Sequence, residues 1–188
     1  MSVLQKRITL DCAPVVAFEV FTYDMAKWWP MDTHSVSADD GTMPANLIVE
    51  RKEGGRIIEI DNTGKAHLWG HFQIYQAPFR VLIAWHVNDL PSKSTYIEVV
   101  FGMETNGKTI AVLTHGGWEV FGDQKEQRRA DYDSGWDFVL GECYKDACQA
   151  AAKEPAPVFE PKGNTLKHRK KFGRPNKGSI SDAVHLVH

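Results

Sequence analysis

Residues 131–152 read DYDSGWDFVLGECYKDACQAAA, and this stretch decides the fold. Its large apolar residues recur at steps of three and four, which places them on one stripe of an α-helix. Asp131, Asp133 and Ser134 are residue types that favour a helix N-terminus, so we predict a helix from Asp131 to about Ala152. Such a helix needs a broad apolar partner for its stripe. The stripe comprises Trp136, Val139, Leu140, Cys143, Tyr144, Ala147 and Ala151.

The partner is predicted from the segments that precede this helix, where short apolar runs alternate with turn signals. A first strand at residues 3–10 is followed by two short helical segments. The first segment begins at Pro14, and the second ends at Trp29, because Pro30 disfavours helix at the residue before it. The polar stretch 31–43 is predicted to be a loop. Six further strands are predicted, at residues 45–51, 56–60, 66–75, 80–87, 95–103 and 108–115.

The composition bounds the class of protein. The chain has 188 residues, of which 43% are hydrophobic, enough for a packed core. Residues 1–10 lack the apolar region of a signal peptide, and no apolar run approaches the ~20 residues of a membrane span. Three cysteines, an odd number, argue against a secreted disulfide framework. We therefore expect a cytoplasmic protein without membrane insertion.

The charge is unevenly distributed along the chain. Residues 153–188 carry eight basic and three acidic residues, whereas residues 1–152 carry 14 basic and 21 acidic residues. Three prolines after the helix prevent its continuation. We therefore predict a domain at 1–152 and a basic, Pro/Lys-rich tail at 153–188, which should be dispensable for folding. Nucleic acid is a possible partner only through this tail, where GRP at 173–175 matches half of an AT-hook.

Five stretches carry a family resemblance: AFEVFTYDMAKWWP (17–30), IVERKEGGRIIEI (48–60), LWGHFQIYQAPFRVLIAWHV (68–87), TIAVLTHGGWEVFGD (109–123) and YDSGWDFVL (132–140). Together they resemble the Hsp90-ATPase-activator-homologue branch of the START/Bet v 1-like (SRPBCC) superfamily. The resemblance implies an α+β helix-grip fold. A curved seven-stranded antiparallel sheet wraps the long C-terminal helix, and two short helices close one end.

The resemblance also implies a cavity between the sheet and the C-terminal helix, and hence the binding of a small hydrophobic or aromatic molecule without a cofactor. Two alternatives remain open. One is an enzyme of the polyketide-cyclase or aromatase kind, and the other is a chaperone-associated or nucleic-acid-binding interaction module. The sequence does not decide the ligand or the oligomeric state. The predicted ligand-binding residues are Trp29, Trp69, Trp85, Phe101, His115, Trp136 and Tyr144.

Residues 102–109 read GMETNGKT and match the phosphate-binding loop pattern. That motif requires a helix to begin at its Lys-Thr pair, but the residues that follow Thr109 are β-rich and soon reach Gly116. Asn106-Gly107 is instead a signal for a tight hairpin with positive φ at both residues. We predict a hairpin and no nucleotide site.

Eight histidines raise the question of a metal site. His67 and His71 lie about 13 Å apart along one predicted strand, too far to share an ion. We predict no metal. For His115 two interpretations remain: a hydrogen-bonded core histidine, which we favour, or a polar group that orients a ligand. Trp28 and Trp29 are expected to form a lid, one packed and one partly exposed.

Overall fold

A computed structural model describes residues 3–153 of the chain, so the predicted tail lies outside the described residues except for Lys153. Within residues 3–153, seven strands and five helical segments follow one another, with short 3-10 turns at Pro91–Lys93 and Trp118–Gln124. The element bounds are β1 Leu4–Leu10, α1 Pro14–Thr22, α2 Met25–Trp28, α3 Val36–Asp39, β2 Asn46–Val49, β3 Arg56–Ile60, β4 Ala66–Gln76, β5 Arg80–Trp85, β6 Thr95–Met103, β7 Thr109–Gly116, α4 Lys125–Phe138 and α5 Lys145–Lys153.

All seven strands form a single antiparallel sheet in the order β1-β7-β6-β5-β4-β3-β2. Strands β2 to β7 are a meander, and β1 pairs with the last strand, Leu4 opposite His115 and Leu10 opposite Thr109. The inner face follows the alternation of each strand, as in β6, where Ile97, Val99 and Phe101 are buried. This is the predicted α+β helix-grip fold.

The sheet bends at two irregularities, between Ile57 and Ile58 in the β3–β4 pairing and between Phe72 and Ile74 in the β4–β5 pairing. Bulges of this kind increase the twist and curvature of a sheet. Beside the first bulge, a Cβ added to Gly70 would lie 2.1 Å from the carbonyl oxygen of Ala84, so only glycine fits there. The curved sheet leaves a concave face for the helices.

Helices α1 and α2 begin and end where the two prolines predict. Pro14 occupies the first turn of α1, and Trp29, before Pro30, already has an extended backbone. The expectation that one of the two lid tryptophans is partly exposed is wrong, because Trp28 is 5% and Trp29 8% exposed. Both indoles are packed into the core and donate to carbonyl oxygens, Trp28 to Val20 at 2.7 Å and Trp29 to His34 at 2.5 Å.

The stretch 31–43, predicted to be a loop, contains the one-turn helix α3. The Ser35 hydroxyl caps α3 by accepting the backbone N–H of Ala38 at 3.0 Å. A single turn buries too few residues to leave a periodic pattern in the sequence, and for this reason the polar composition predicted only a loop.

The C-terminal helix begins six residues earlier than predicted, at Lys125 instead of Asp131. Residues 125–130 are polar and mostly exposed, so they carry no apolar periodicity. Asp131 and Asp133 therefore lie inside the helix and do not cap it. Asp133 pairs with Lys6 of β1 at 2.6 Å, which ties the helix to the edge of the sheet.

Between α4 and α5 the helix continues through a π-helical turn, Val139–Tyr144, so 125–153 form one unbroken C-terminal helix. The large apolar residues Trp136, Leu140, Tyr144 and Cys148 follow one another at steps of four. In a regular α-helix each such step rotates by about 40°, so the stripe would drift off the sheet. The wider π-helical turn counteracts this drift, and all four residues are buried.

Residues 102–109 form a β-hairpin between β6 and β7, as predicted. The amide of Gly107 donates to Glu104 at 2.9 Å, and Gly107 has a φ of 81°. Positive φ at Asn106 was expected but does not occur. The N–H of Glu104 donates to the carbonyl oxygen of Lys108 at 2.8 Å, which leaves a three-residue loop at 105–107 in which only Gly107 has a positive φ. Lys108 starts the return towards β7 and pairs with Asp11 at 2.9 Å.

Cys12, which the sequence places far from the other cysteines, contacts one of them in the fold. The two thiols lie close enough to interact, and Cys148 is fully buried. This contact lowers the pKa of Cys12 and, together with burial, raises the pKa of Cys148.

None of the helices within residues 3–153 has the length and apolar character needed to cross a membrane.

Candidate functional site

The space between the sheet and the later part of the C-terminal helix is filled by aromatic rings. Phe21 of α1 contacts Trp28, Phe101 and Tyr144, with ring centroids 5.7, 5.9 and 5.6 Å apart. Phe18 contacts Phe101 at 5.5 Å. The Tyr144 hydroxyl donates to the carbonyl oxygen of Ala17 at 2.7 Å. We call this region, built on Phe18, Phe21, Phe101 and Tyr144, the filled end.

A second aromatic cluster is centred on Trp29, directly after α2. Its indole lies 5.3 Å from that of Trp69, 5.7 Å from that of Trp85 and 6.0 Å from that of Trp136. These partners come from β4, β5 and α4, so one side chain joins the sheet, the lid and the C-terminal helix. Such edge-to-face and tilted contacts between aromatic rings hold each ring in a fixed orientation.

Beside this second cluster lies a cavity of about 260 Å³, which we call the tryptophan pocket. It opens between the loop that follows α2, the end of β5 and the first half of the C-terminal helix. A cavity of about 150 Å³ can hold a benzene molecule, so this one has room for one or two fused rings. The lining residues are Trp29, Thr33, His34, Ser35, Asp39, Trp85, Val87, Asn88, Arg128, Asp131, Tyr132, Gly135, Trp136 and Val139.

Three of the seven predicted ligand-binding residues, Trp29, Trp85 and Trp136, line the tryptophan pocket. Trp69 packs behind Trp29 and is fully buried. Phe101 and Tyr144 belong to the filled end, and His115 lies behind Trp136. The structure therefore divides the predicted set between a pocket wall and the solid core next to it.

His115 has partners for both of its ring nitrogens. The Trp136 indole N–H donates to Nδ1 at 3.1 Å, and Nε2 lies 2.8 Å from the Thr95 hydroxyl, which itself donates to the Trp85 carbonyl oxygen at 3.1 Å. Nδ1 accepts, so a neutral ring carries its proton on Nε2 and donates it to Thr95. Burial lowers the pKa of His115 to about 3. This geometry matches the favoured interpretation, a hydrogen-bonded core histidine.

Glu59, which the sequence did not single out, is a fully buried carboxylate in β3. It accepts the backbone N–H groups of Val36 and Ser37, each at 2.8 Å, the Ser37 hydroxyl at 2.5 Å and the Trp69 indole N–H at 2.8 Å. Burial opposes its ionisation, but these donors outweigh burial and lower its pKa. Glu59 thereby fixes the first turn of α3 against the sheet.

A sequence signal for Glu59 does exist. In β3 it stands two residues after Ile57, and residues two apart on a strand face the same side. A carboxylate at an inward position of a strand needs buried donors, which marks it as a group with a structural or chemical role. Three of its four donors lie in α3 and could not be foreseen because α3 was not predicted, whereas the fourth is the Trp69 indole of β4.

The described residues 3–153 contain no group of three or more His, Cys, Asp and Glu side chains placed to hold a metal ion. His67, one of the histidines considered for a metal, instead pairs with Asp61 at 2.9 Å. This bond contributes to lowering the pKa of Asp61, after the larger contribution of the Thr63 hydroxyl. His71 lies opposite Arg56 in the β3–β4 pairing.

No protein-family model and no curated protein sequence matches this chain. Solved structures do match in fold. CalC from Micromonospora echinospora, described as a self-sacrificing resistance protein, is 21% identical with a TM-score of 0.60, over 81% of this chain and 97% of CalC. Txn09, an anthrahydroquino-γ-pyrone synthase, is 24% identical with a TM-score of 0.55, over 78% of this chain and 97% of Txn09.

Aha1 from Colwellia psychrerythraea, described as a dimer, is 18% identical with a TM-score of 0.58, over 80% of this chain and 98% of that protein. These three proteins are each similar to this chain over nearly their whole length. At such identities the likeness shows a common fold, the helix-grip fold.

Proposed function

We propose that this protein binds a small hydrophobic or aromatic molecule in the tryptophan pocket. The observation that supports this most directly is the pocket wall itself. Trp29, Trp85 and Trp136, all less than 9% exposed, surround a cavity of about 260 Å³ instead of packing it shut. Apolar walls with a few polar groups are typical of small-molecule sites.

The pocket walls are held in place before any ligand arrives. The indole N–H groups of Trp29, Trp85 and Trp136 donate to His34, Tyr132 and His115. A site whose side chains are already fixed loses less conformational entropy when it binds a ligand. The residue pattern resembles the Hsp90-ATPase-activator-homologue branch, and we propose that the chain is a member of this branch which binds a ligand.

The geometry does not favour His115 as the acid–base group of a cyclase-like enzyme. The enzyme alternative requires a titratable group that can act as acid or base at the cavity. The residue considered for this role, His115, uses both ring nitrogens within the protein and has a pKa lowered to about 3 by burial. It therefore stays neutral and hydrogen-bonded at the pH values where an acid–base group would have to act.

The test is to fill the pocket without disturbing the fold. Gly135 lies on the pocket side of α4, and a Cβ added there would meet the His34 ring at an ordinary 3.7 Å. Gly135→Leu adds a side chain that occupies the cavity, and both Leu and Ala favour the helix more than Gly does. Gly135→Ala is the matched control, with the same backbone effect and only one methyl group.

Naphthalene is the ligand for this test, and tryptophan fluorescence reports its uptake. We expect saturable binding to the parent protein, binding that is largely retained in Gly135→Ala, and binding at least about ten-fold weaker in Gly135→Leu, a loss of about 1.4 kcal/mol. Equal affinity in all three proteins would place naphthalene elsewhere, and no uptake by the parent protein would end the proposal.

A further inference from the structure

The Tyr132 hydroxyl differs from the other polar groups of the aromatic wall. It accepts the Trp85 indole N–H at 3.2 Å, but within residues 3–153 no acceptor receives its own proton. The three tryptophans of the wall have already donated their N–H groups to protein atoms. Among the tryptophan and tyrosine side chains of the described pocket wall, Tyr132 is therefore the one that still has a donor to offer.

The Tyr132 ring is held by neighbours on its far side. Its centroid lies 4.7 Å from that of His115 and 5.5 Å from that of Trp118. The hydroxyl meets Trp85, which also lines the pocket. Because the ring is packed and the oxygen accepts the Trp85 N–H, the remaining O–H bond points away from that N–H, in a side chain that lines the pocket.

The hydroxyl of Tyr132 acts as a neutral donor. Burial raises the pKa of Tyr132, although the bond from Trp85 and the nearby Arg128 oppose this effect. A phenol whose oxygen accepts one hydrogen bond becomes a better donor in a second, because the bonds polarise each other. A ligand atom that meets this proton must be an acceptor.

The charges at the pocket disfavour an anionic ligand. Asp39 accepts a hydrogen bond from Asn88, and Asp131 accepts one from Gln127 at 2.8 Å. The guanidinium of Arg128 lies 3.6 Å from Asp89, a carboxylate that is mostly buried. The positive charge of Arg128 is thus offset, whereas Asp39 and Asp131 have no cationic partner in a salt bridge among the described residues. A carboxylate or phosphate ligand would meet like charge here.

We propose that the ligand of the tryptophan pocket is a neutral molecule of one or two fused aromatic rings that carries a carbonyl oxygen, and that this oxygen accepts the Tyr132 proton. The inference rests on the proposed function and adds its chemical class. The rings stack within the walls of Trp29, Trp85 and Trp136, and the carbonyl fixes their orientation at Tyr132.

The experiment compares three two-ring molecules. Chromone carries a carbonyl oxygen, naphthalene has the same ring count without one, and 1-naphthoate adds a negative charge. Each is titrated into the parent protein and into Tyr132→Phe, which removes only the hydroxyl. Dissociation constants come from tryptophan fluorescence, with ligand-observed NMR as a second readout that does not depend on Trp85.

The parent protein should bind chromone more tightly than naphthalene, and 1-naphthoate most weakly. Tyr132→Phe should weaken chromone binding about three- to ten-fold more than naphthalene binding, because both ligands meet a Trp85 indole without its acceptor but only chromone loses a hydrogen bond of its own. Retained naphthalene binding also shows that the variant is folded. A parallel Phe121→Leu variant, at a ring that contacts Arg128 but does not line the pocket, should leave the preference for chromone intact.

The experiment distinguishes failure of the proposed ligand binding from failure of the assignment of the Tyr132 proton. If the parent protein binds none of the three molecules, the proposed function fails. If chromone and naphthalene bind but Tyr132→Phe weakens both equally or neither, the pocket binds ligand and the assignment of the Tyr132 proton is overturned. If 1-naphthoate bound most tightly of the three molecules, the proposal that the ligand is neutral would be overturned.

Discussion

The two ends of the molecule's interior contain the same kinds of side chain and use them in opposite ways. At the filled end, Phe21, Phe101 and Tyr144 close the space between sheet and helix with ring contacts of 5.6 and 5.9 Å. At the tryptophan pocket, Trp29, Trp85 and Trp136 surround a cavity of about 260 Å³.

The difference follows from what α1 supplies and from where the polar atoms lie. α1 places Phe18 and Phe21 between the sheet and the helix, but it ends at Thr22, before the pocket. The indoles of the pocket are each tied by an N–H bond to a protein acceptor, so they cannot rotate freely to fill the gap. Aromatic content alone therefore does not distinguish a core from a binding site.

The largest effect is expected from Phe21→Ala, which opens the filled end. Phe21 is 1% exposed and touches three aromatic rings, so its truncation should reduce the free energy of unfolding by about 3–5 kcal/mol. Val139→Ala, at the wall of the tryptophan pocket, should cost clearly less, because that side chain already faces an unfilled space. Urea unfolding of both variants measures this, and equal costs would mean that the two ends are packed alike.

The next largest effect concerns Glu59, which holds α3 beside the pocket. Glu59→Gln replaces one acceptor oxygen by an NH₂ group that faces donors, and should cost about 1.5–3 kcal/mol. The folded-state pKa of Glu59 is lowered, so its contribution is fully present above about pH 4.3 and is lost as the pH falls through the lowered pKa. Urea unfolding at pH 7 and in acid checks both parts.

If the pocket depends on α3, Glu59→Gln should also weaken naphthalene binding. Phe21→Ala, by contrast, should reduce the free energy of unfolding far more than it weakens naphthalene binding. A Glu59→Gln protein that binds naphthalene as the parent does would show that α3 is not needed to shape the pocket. A cost that persists undiminished in acid would show that the carboxylate is not ionised in the folded state.

His115→Ala should cost about 1–3 kcal/mol at pH 7, because the buried Trp136 N–H loses its acceptor. The folded-state pKa of His115 is about 3, below the unfolded value of about 6.5. Its contribution is therefore present above pH 6.5 and falls by about 1.4 kcal/mol per pH unit on acidification. Urea unfolding of parent and variant from pH 7 to pH 5 should show the difference shrinking, and a constant difference would contradict the neutral, buried state.

The smallest effect is expected outside both ends, at Lys108. Its side chain is 53% exposed and pairs with Asp11, so Lys108→Ala should change the free energy of unfolding by at most about 0.5 kcal/mol. ATP titrated by calorimetry should give no heat of binding with either protein. A magnesium-dependent site lost in Lys108→Ala would contradict the hairpin.

The sheet could be predicted because its signals are local. Gly54, Gly64 and Gly107 stand at turns with positive φ, and β3 and β6 have the predicted bounds. The start of the C-terminal helix could not be predicted, because its first turns face solvent and show no apolar period. Helix α3 depends on Glu59, more than twenty residues away, so no local pattern reveals it.

The candidate site was predictable only in part. The aromatic residue types and the predicted cavity between sheet and helix brought Trp29, Trp85 and Trp136 into the set, and all three line the pocket. Tyr132 and Glu59 were missed, since their roles come from hydrogen bonds between elements distant in sequence. Packing geometry decides which aromatic residues fill a space and which line an open one, and the sequence does not contain this geometry in a local pattern.

Because of the π-helical turn at Val139–Tyr144, the C-terminal helix holds one extra residue while its buried side chains keep facing the sheet. It absorbs one residue more than a regular α-helix would hold between Trp136 and Tyr144. At about 100° per residue, a chain without Gly141 would form an ordinary α-helix with Trp136, Leu140, Tyr144 and Cys148 still within about 60° of one another. A Cβ at Gly141 would contact nothing within 4 Å, so no neighbour requires that residue. Sequences one residue shorter at this point can therefore encode the same interior, and alignments of helix-grip proteins should allow a gap there.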